Sequence, residues 1–353
     1  MSGNIDGNNK IETMKKINAV KKEARQKAKL SKCFCCGKEC TSFCNSHSLP
    51  QFILRNIADN GKVYYWNTIS EVLFQHEYQG VNSAGVFHII CNDCDSKLFQ
   101  EYETPSNYDK PITAKMLAEI DMKNNLRYFS KRLLEKEIYK YLQNEHAEYN
   151  YITNEALKVL NLDINEIKNS YKLSLNHLKK PCDNNYYIGY FVELPYVVPL
   201  ACQVQIAMLV DLEGNTINYT YDEHKGHKIE VVNLCVFPMQ DKTIIFMFVE
   251  RKNKKYQRFF KQLKALENSK DVLKIINYMI FLYTEDFFIS PNISKSVLAQ
   301  LNLTFKKTNS GFGYADNRFK EFWKEKEKFL LINIPDILNL LSREYAITKK
   351  NVI

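Results

Sequence analysis

The amino-acid sequence predicts an α+β fold: a small cysteine-rich module near the N-terminus, a helical connector, and a C-terminal antiparallel sheet flanked by helices. Three observations predict it. Seven of the ten cysteines fall in two clusters before residue 95, apolar residues follow helical spacing between residues 109 and 180, and β-rich runs begin after Pro181. The 353 residues are enough for two domains, or for one large domain with appendages.

The composition excludes several classes of protein. Hydrophobic residues make up 45% and charged residues 25% of the chain, which is ordinary globular usage and excludes fibrous or wholly disordered proteins. No apolar run is long enough to span a membrane, and the N-terminus lacks the apolar segment of a signal peptide. We therefore expect a cytoplasmic protein with no membrane partner.

The first segment, residues 1–30, is a basic arm. Residues 1–32 hold nine Lys or Arg and three Asp or Glu, so they supply +6 of the net charge of +9. Apolar residues at three- and four-residue steps predict a helix from Ile11 to Leu30. A basic arm could contact nucleic acid, although a solvated helix that docks a partner explains the same residues. The candidate contacts are Lys15, Lys16, Lys21, Lys22 and Arg25.

The second segment, residues 31–108, contains two Cys-x-x-Cys pairs that predict a metal site. Two thiolates two residues apart can face one ion, and two such pairs complete a closed tetrahedral site, the arrangement of structural Zn²⁺. Disulfide pairing is the alternative, which a reducing cytoplasm disfavours. Cys35, Cys40 and Cys44 leave the choice of ligands within the first cluster open. The predicted ligands are Cys33, Cys36, Cys91 and Cys94.

A histidine motif lies between the two pairs, at residues 45–50 (NSHSLP). A Cys-x-x-Cys, a small residue followed by His-x-hydrophobic-Pro, and a second Cys-x-x-Cys resemble the zinc-stabilised form of the HNH endonuclease superfamily. The resemblance covers residues 33–105. It implies a ββα-metal fold in which His47 is the general base that activates water and Mg²⁺ or Mn²⁺ stabilises the phosphate transition state.

Three positions depart from the family pattern. Ser46 lies where the family usually has an acidic metal ligand, Asp95 lies where a second metal-binding histidine is usual, and His88 lies near the position of the central asparagine. Asp95 and Glu103 are about two helical turns apart, so both carboxylates could face one ion. The resemblance thus implies His47, Asp95 and His88 as catalytic residues and Asp95 and Glu103 as Mg²⁺ ligands.

The remaining chain divides into a helical connector, residues 109–180, and an α+β domain, residues 181–353. Apolar spacing predicts one long helix or two in series from Ile112 to about His146, and another over 154–180. Helices are also predicted over 253–283 and near 318–343, covering one face of a sheet of four to five strands. The predicted strands are Tyr186–Leu194, Cys202–Asp211, Asn215–Tyr221, Lys228–Val236 and Thr243–Glu250.

One segment of the α+β domain, Arg251–Lys264, combines basic residues with Tyr256, Phe259 and Phe260. Cationic and aromatic side chains together can bind nucleic acid. A helix that buries its aromatic residues explains the same pattern, and we favour this second interpretation.

The sequence favours a metal-dependent nuclease that acts on DNA or RNA, whose C-terminal domain senses a signal or binds a protein partner or a second copy. A small nuclease module with an unfamiliar companion domain is similar to bacterial defence and mobile-element proteins. The alternative is a catalytically inactive zinc-binding module that serves as an interaction surface for nucleic acid or protein. A divalent ion held near His47 distinguishes the two.

Overall fold

The computed structural model describes residues 7–69, 72–145, 150–219, 228–266, 268–284, 286–308, 331, 334 and 337–347. Its fold combines helices with an antiparallel sheet, as the sequence predicts. The elements of the N-terminal part are α1 (Gly7–Lys27), β1 (Ser46–His47), α2 (Gln51–Ile57), β2 (Lys62–Ile69), β3 (Val72–Gly80), β4 (Val86–Phe87) and α3 (Asn92–Leu98).

Two long helices follow, and then most of the sheet. The helices are α4 (Ala114–Glu145) and α5 (Asn150–Lys179), which pack against each other. The remaining elements are β5 (Tyr186–Leu194), β6 (Leu200–Ile206), β7 (Val232–Pro238), β8 (Thr243–Glu250), α6 (Lys254–Lys264), α7 (Ser269–Tyr283), β9 (Asp286–Ile289) and α8 (Lys295–Thr308). In the parts of the chain that the structure covers, no helix is both long and apolar enough to cross a membrane.

The main sheet has seven strands in the order β3-β2-β9-β6-β7-β8-β5, and its pairings are antiparallel. It is larger than the predicted sheet because β2 and β3, from the cysteine-rich segment, join it through β9. The predicted bounds of β5 and β8 are confirmed. The run 215–221 is wrong as a strand in its described part, which makes an isolated bridge between Val210 and Thr216. The helix predicted near 318–343 lies mostly outside the described residues.

The central strands β7 and β8 are buried on both faces of the sheet, between which their side chains alternate. On β8, Ile245, Met247 and Val249 pack in one apolar cluster with α6 and α7. The intervening residues of β8 pack in a second cluster with α4, α5 and the cysteine-rich segment. Helix α6 therefore lies on the opposite face of the sheet from the cysteines.

Helix α4 is buried although many of its residues are polar. Asp121 shows how the burial is compensated: its carboxylate accepts four hydrogen bonds of 2.7–3.0 Å, from Gln205, Asn233, Ser174 and Tyr186. Buried polar groups of this kind are tolerated because they are hydrogen-bonded. The other buried polar residues of α4 are Glu119, Lys123, Asn124, Asn125, Arg127, Lys131 and Glu135.

Candidate metal centre and adjacent polar site

Four cysteine thiols converge at the start of α3. The Sγ atoms of Cys33, Cys36, Cys91 and Cys94 lie within 4.8 Å of one another, and the Sγ atoms of Cys36 and Cys91 are 3.9 Å apart. Gly37, at φ +71°, closes the turn of the first pair by donating its N–H to the Cys33 carbonyl. The predicted four-cysteine cluster is thus brought together, and its geometry can hold a metal ion.

The electrostatics of this cluster suit a thiophilic cation. Burial opposes ionisation of Cys33, but the N–H groups of Cys36, Cys91 and Cys35 outweigh it and lower the Cys33 pKa to about 7. The Cys91 N–H donates to Cys33 Sγ at 3.3 Å. Burial, together with the neighbouring thiols, raises the pKa of Cys94. Four sulfurs this close cannot all ionise without a cation, and Zn²⁺ is the usual ion for four thiolates.

The other three cysteines of the first cluster lie outside the four-sulfur group. Cys44 Sγ donates to Asp95 Oδ2 at 3.3 Å, and Cys40 Sγ donates to the Lys38 carbonyl at 3.5 Å. Burial raises the pKa of Cys35 to about 12. The ligand choice that the sequence left open therefore favours Cys33 and Cys36.

His47 lies on a small hairpin beside the metal cluster. Strand β1 pairs antiparallel with β4, with His47 opposite Val86, and α3 follows five residues after β4. The His47 ring is half-buried, and its Nε2–H donates to the Val81 carbonyl at 3.0 Å. Gly85 permits the close turn before β4: at φ +69°, an added Cβ would lie 2.6 Å from Phe288 and 2.6 Å from Ser48.

Asp95 on α3 is the centre of a buried polar network next to His47. Its Oδ1 accepts from Ser46 Oγ at 2.6 Å and from Lys123 Nζ at 2.8 Å. Lys123 Nζ also pairs with Glu103 Oε1 at 3.1 Å, donates to Ser46 Oγ at 2.9 Å, and lies 3.8 Å from the centre of the Phe99 ring. The structure thus brings the two predicted Mg²⁺ ligands together on one buried ammonium group.

The network shifts the ionisation of both functional candidates. Burial opposes the charge of Asp95, but Lys123, Ser46 and Cys44 outweigh it and lower the Asp95 pKa. Burial lowers the pKa of His47, and the positive charge of Lys123 acts in the same direction; the hydrogen bond to the Val81 carbonyl, the Asp95 charge and the Asn45 backbone oppose this shift but do not reverse it. His47 is therefore neutral and Asp95 ionised near pH 7.

The other predicted site residues lie apart from this network. His88 is exposed, and its Nε2–H donates to Asn45 Oδ1 at 2.8 Å. Helix α1 packs on α4 through Ala24 and Ile138. Among the candidate contacts of the basic arm, Lys15, Lys22 and Arg25 are exposed and Lys21 is half-buried, while the side chain of Lys16 lies outside the described residues.

Sequence reasoning missed Lys123, which is fully buried at the centre of the site. Its main contacts, Ser46 and Asp95, lie 77 and 28 residues away in the sequence, so no local spacing links them. The one available signal was the polar run at residues 121–125 (DMKNN), where a polar stretch interrupts the apolar pattern of a long helix.

No protein-family model matches this chain, and no curated protein or solved structure matches it. The resemblance to HNH endonucleases therefore rests on residues 33–105 alone. What the site can do follows from its own geometry.

Proposed function

We propose that the chain is an HNH-type, metal-dependent nuclease that hydrolyses phosphodiester bonds in DNA or RNA, with His47 as the general base. The observation that carries the proposal is the hydrogen bond from His47 to the Val81 carbonyl at 3.0 Å. A carbonyl oxygen only accepts, so Nε2 carries the proton and the neutral ring has its lone pair on Nδ1. In general-base catalysis by histidine, a hydrogen-bond acceptor on one ring nitrogen fixes the tautomer and leaves the other nitrogen to take the proton.

In this proposal His47 Nδ1 takes a proton from a water molecule as the water oxygen attacks phosphorus. The opposite P–O bond breaks, and the sugar oxygen that leaves takes a proton from solvent. The lowered pKa keeps the imidazole neutral, so the lone pair is available at neutral pH. The half-buried position of the ring restricts its orientation while leaving it reachable. Asp95 accepts a hydrogen bond from Ser46, which precedes His47 in the chain, and its negative charge acts on the His47 ring.

A catalytic divalent ion would be held by Asp95 and Glu103. Lys123 pairs with one oxygen of each carboxylate, Asp95 Oδ1 and Glu103 Oε1, and Asp95 Oδ2 accepts from the Cys44 thiol, a weak donor that a metal ion would displace. Mg²⁺ usually keeps several waters and binds through one or two carboxylates, so this donor set fits it. The ion, when bound, supplies positive charge that stabilises the phosphate transition state.

A Zn²⁺ ion would be held by Cys33, Cys36, Cys91 and Cys94, and it would link the turn at residues 33–37 to the start of α3. The reducing cytoplasm that the sequence predicts would keep these thiols available as ligands. A role in bacterial defence or in a mobile element, with a protein partner or a second copy bound by the C-terminal domain, is proposed by analogy with the resemblance alone.

A second candidate function is favoured by Lys123. Its ammonium group already neutralises Asp95 and Glu103, so the network is complete without a divalent ion. On this view the segment is a catalytically inactive zinc-binding module that serves as a surface for nucleic acid or protein.

Cleavage of supercoiled plasmid and of single-stranded RNA, with Mg²⁺ or Mn²⁺ and with EDTA, separates the two candidates. The nuclease proposal predicts metal-dependent cutting by the wild type and a loss of about 100-fold or more in His47→Ala. Zinc content, measured on both proteins, shows that the variant is folded. Equal cutting by the variant would reject His47 as the base, and no cutting of either substrate would favour the inactive module.

A further inference from the structure

Helix α6 has one apolar and one cationic face. Tyr256, Phe259, Phe260 and Leu263 are buried against the sheet, which is the interpretation that the sequence favoured. That packing leaves the basic residues unexplained. The range 251–264 contains seven Lys or Arg and no Asp or Glu, and all seven basic residues are exposed: Arg251, Lys252, Lys254, Lys255, Arg258, Lys261 and Lys264.

The end of α5 extends this positive surface. Lys179 and Lys180 are exposed. Asn185 joins the two segments, because its side-chain amide donates to the Lys180 carbonyl at 3.1 Å and its own carbonyl accepts the Arg251 N–H at 3.0 Å. We call these nine basic residues the cationic surface.

Several of these charges have no acidic partner. Arg258 pairs with the buried Asp211, Nε to Oδ2 at 2.8 Å. Lys252, Lys254 and Lys261, by contrast, form no ion pair with a described residue. Glu250, which directly precedes Arg251, pairs with Lys228 at 3.6 Å.

Tyr187 of β5 arranges two of the cations. The Arg251 guanidinium and the Lys264 ammonium lie 5.7 and 5.6 Å from the centre of its ring, and Lys264 Nζ also donates to its hydroxyl at 3.3 Å. Because these two side chains are already held in place, they lose less conformational entropy when an anionic partner binds.

We infer that the cationic surface binds the phosphate backbone of a nucleic acid. Exposed, separated positive charges along a helix about 16 Å long suit a polymer with evenly spaced negative charges, and less a single small anion. Helix α6, which carries most of the surface, lies on the opposite face of the sheet from the cysteine-rich segment that contains His47, so its binding does not depend on the proposed catalysis. It is also separate from the basic arm on α1.

The test measures binding of fluorescent duplex DNA, single-stranded DNA and RNA by anisotropy, in EDTA so that no strand is cut, at several salt concentrations. The variant is Lys252→Gln/Lys254→Gln/Lys261→Gln. The control, Lys62→Gln/Lys110→Gln/Lys158→Gln, removes the same charge at exposed lysines elsewhere. Circular dichroism checks that both variants are folded.

If the cationic surface binds nucleic acid, the Kd of the variant should be at least about tenfold higher than that of the wild type, and the Kd of the control should change little. Each phosphate contact on duplex DNA contributes about 0.9 to the slope of log Kd against log salt, so the loss of three lysines should lower this slope by about 2 to 3. The oligonucleotide that binds most tightly identifies the type of nucleic acid that the surface prefers. Equal weakening in variant and control, no binding by the wild type, or stronger competition by poly-glutamate than by unlabelled nucleic acid would overturn the inference. Because binding is measured in EDTA, where no strand is cut, a failure of the proposed catalysis would leave this result unchanged.

Discussion

Replacing Lys123 by methionine should destabilise the protein more than any surface change. Methionine keeps most of the apolar stem and removes the ammonium group. Lys123 is fully buried, and its ammonium contacts Asp95 at 2.8 Å, Glu103 at 3.1 Å and Ser46 at 2.9 Å. Without it, two carboxylates face each other with no compensating charge.

The size of the loss follows from the exposure of the partners. Removing one member of a buried ion pair costs about 3–5 kcal/mol, because the other charge stays buried and unpaired. The Asp95 side chain is 18% exposed and that of Glu103 is 35% exposed, so water relieves part of the penalty. We therefore expect a loss near the lower end, about 3 kcal/mol.

Equilibrium urea unfolding at pH 7.5 measures this loss, with zinc content checked in each protein. A double-mutant cycle with Asp95→Asn isolates the pair: Lys123→Met/Asp95→Asn should lose less stability than the sum of the two single variants, since both charges leave together. A loss below about 1 kcal/mol for Lys123→Met, or additive losses in the cycle, would refute the assignment of Lys123 as the central counter-charge.

Three further predictions concern the metal, a buried acid and a turn. Metal analysis should find about one zinc per chain, lost in Cys36→Ser but retained in Cys40→Ser, because only the first removes a ligand. Burial raises the pKa of Glu119 to about 7, so its favourable contribution is present below about pH 4.5 and is lost as the pH rises through about 7. The unfolding free energy of wild type should therefore fall relative to Glu119→Gln by up to about 1.4 kcal/mol per pH unit between pH 5.5 and 7, measured in urea, and a constant difference would contradict this. Gly85→Ala should cost about 2–4 kcal/mol, because the added Cβ meets Phe288 and Ser48 at a positive φ. Gly61→Ala, which has a similar φ but open space, is the control, and an equal loss in both would mean that the contacts carry no cost.

The sequence predicted well what depends on local pattern. Strands β5 and β8 have the predicted bounds because β-branched and aromatic residues run without interruption between polar turns. The cluster of four cysteines follows from a two-residue spacing that is itself local. Strand β9, by contrast, has only four residues between two helices, too few for a periodic signal.

The polar site could be predicted only in part, because its contacts cross the fold. His47 and Asp95 were found through a motif, but the partner that fixes the His47 tautomer is the backbone of Val81, which no residue type reveals. Lys123 reaches Asp95 from a helix whose register against the cysteine-rich segment is set by apolar packing. The burial of the aromatic residues of α6, by contrast, was predicted, because their helical spacing is a local pattern.

Chemical rescue is the sharpest test of His47 as a general base. Single-turnover cleavage of a labelled oligonucleotide with Mn²⁺ is measured for wild type and His47→Gly, with and without added imidazole. The proposal predicts that the variant is slowed by about 100-fold or more and that imidazole restores part of the rate, with a dependence on the concentration of neutral imidazole. Cleavage by His47→Gly at the wild-type rate, or a lost rate that imidazole does not restore while zinc content is unchanged, would contradict the role of His47.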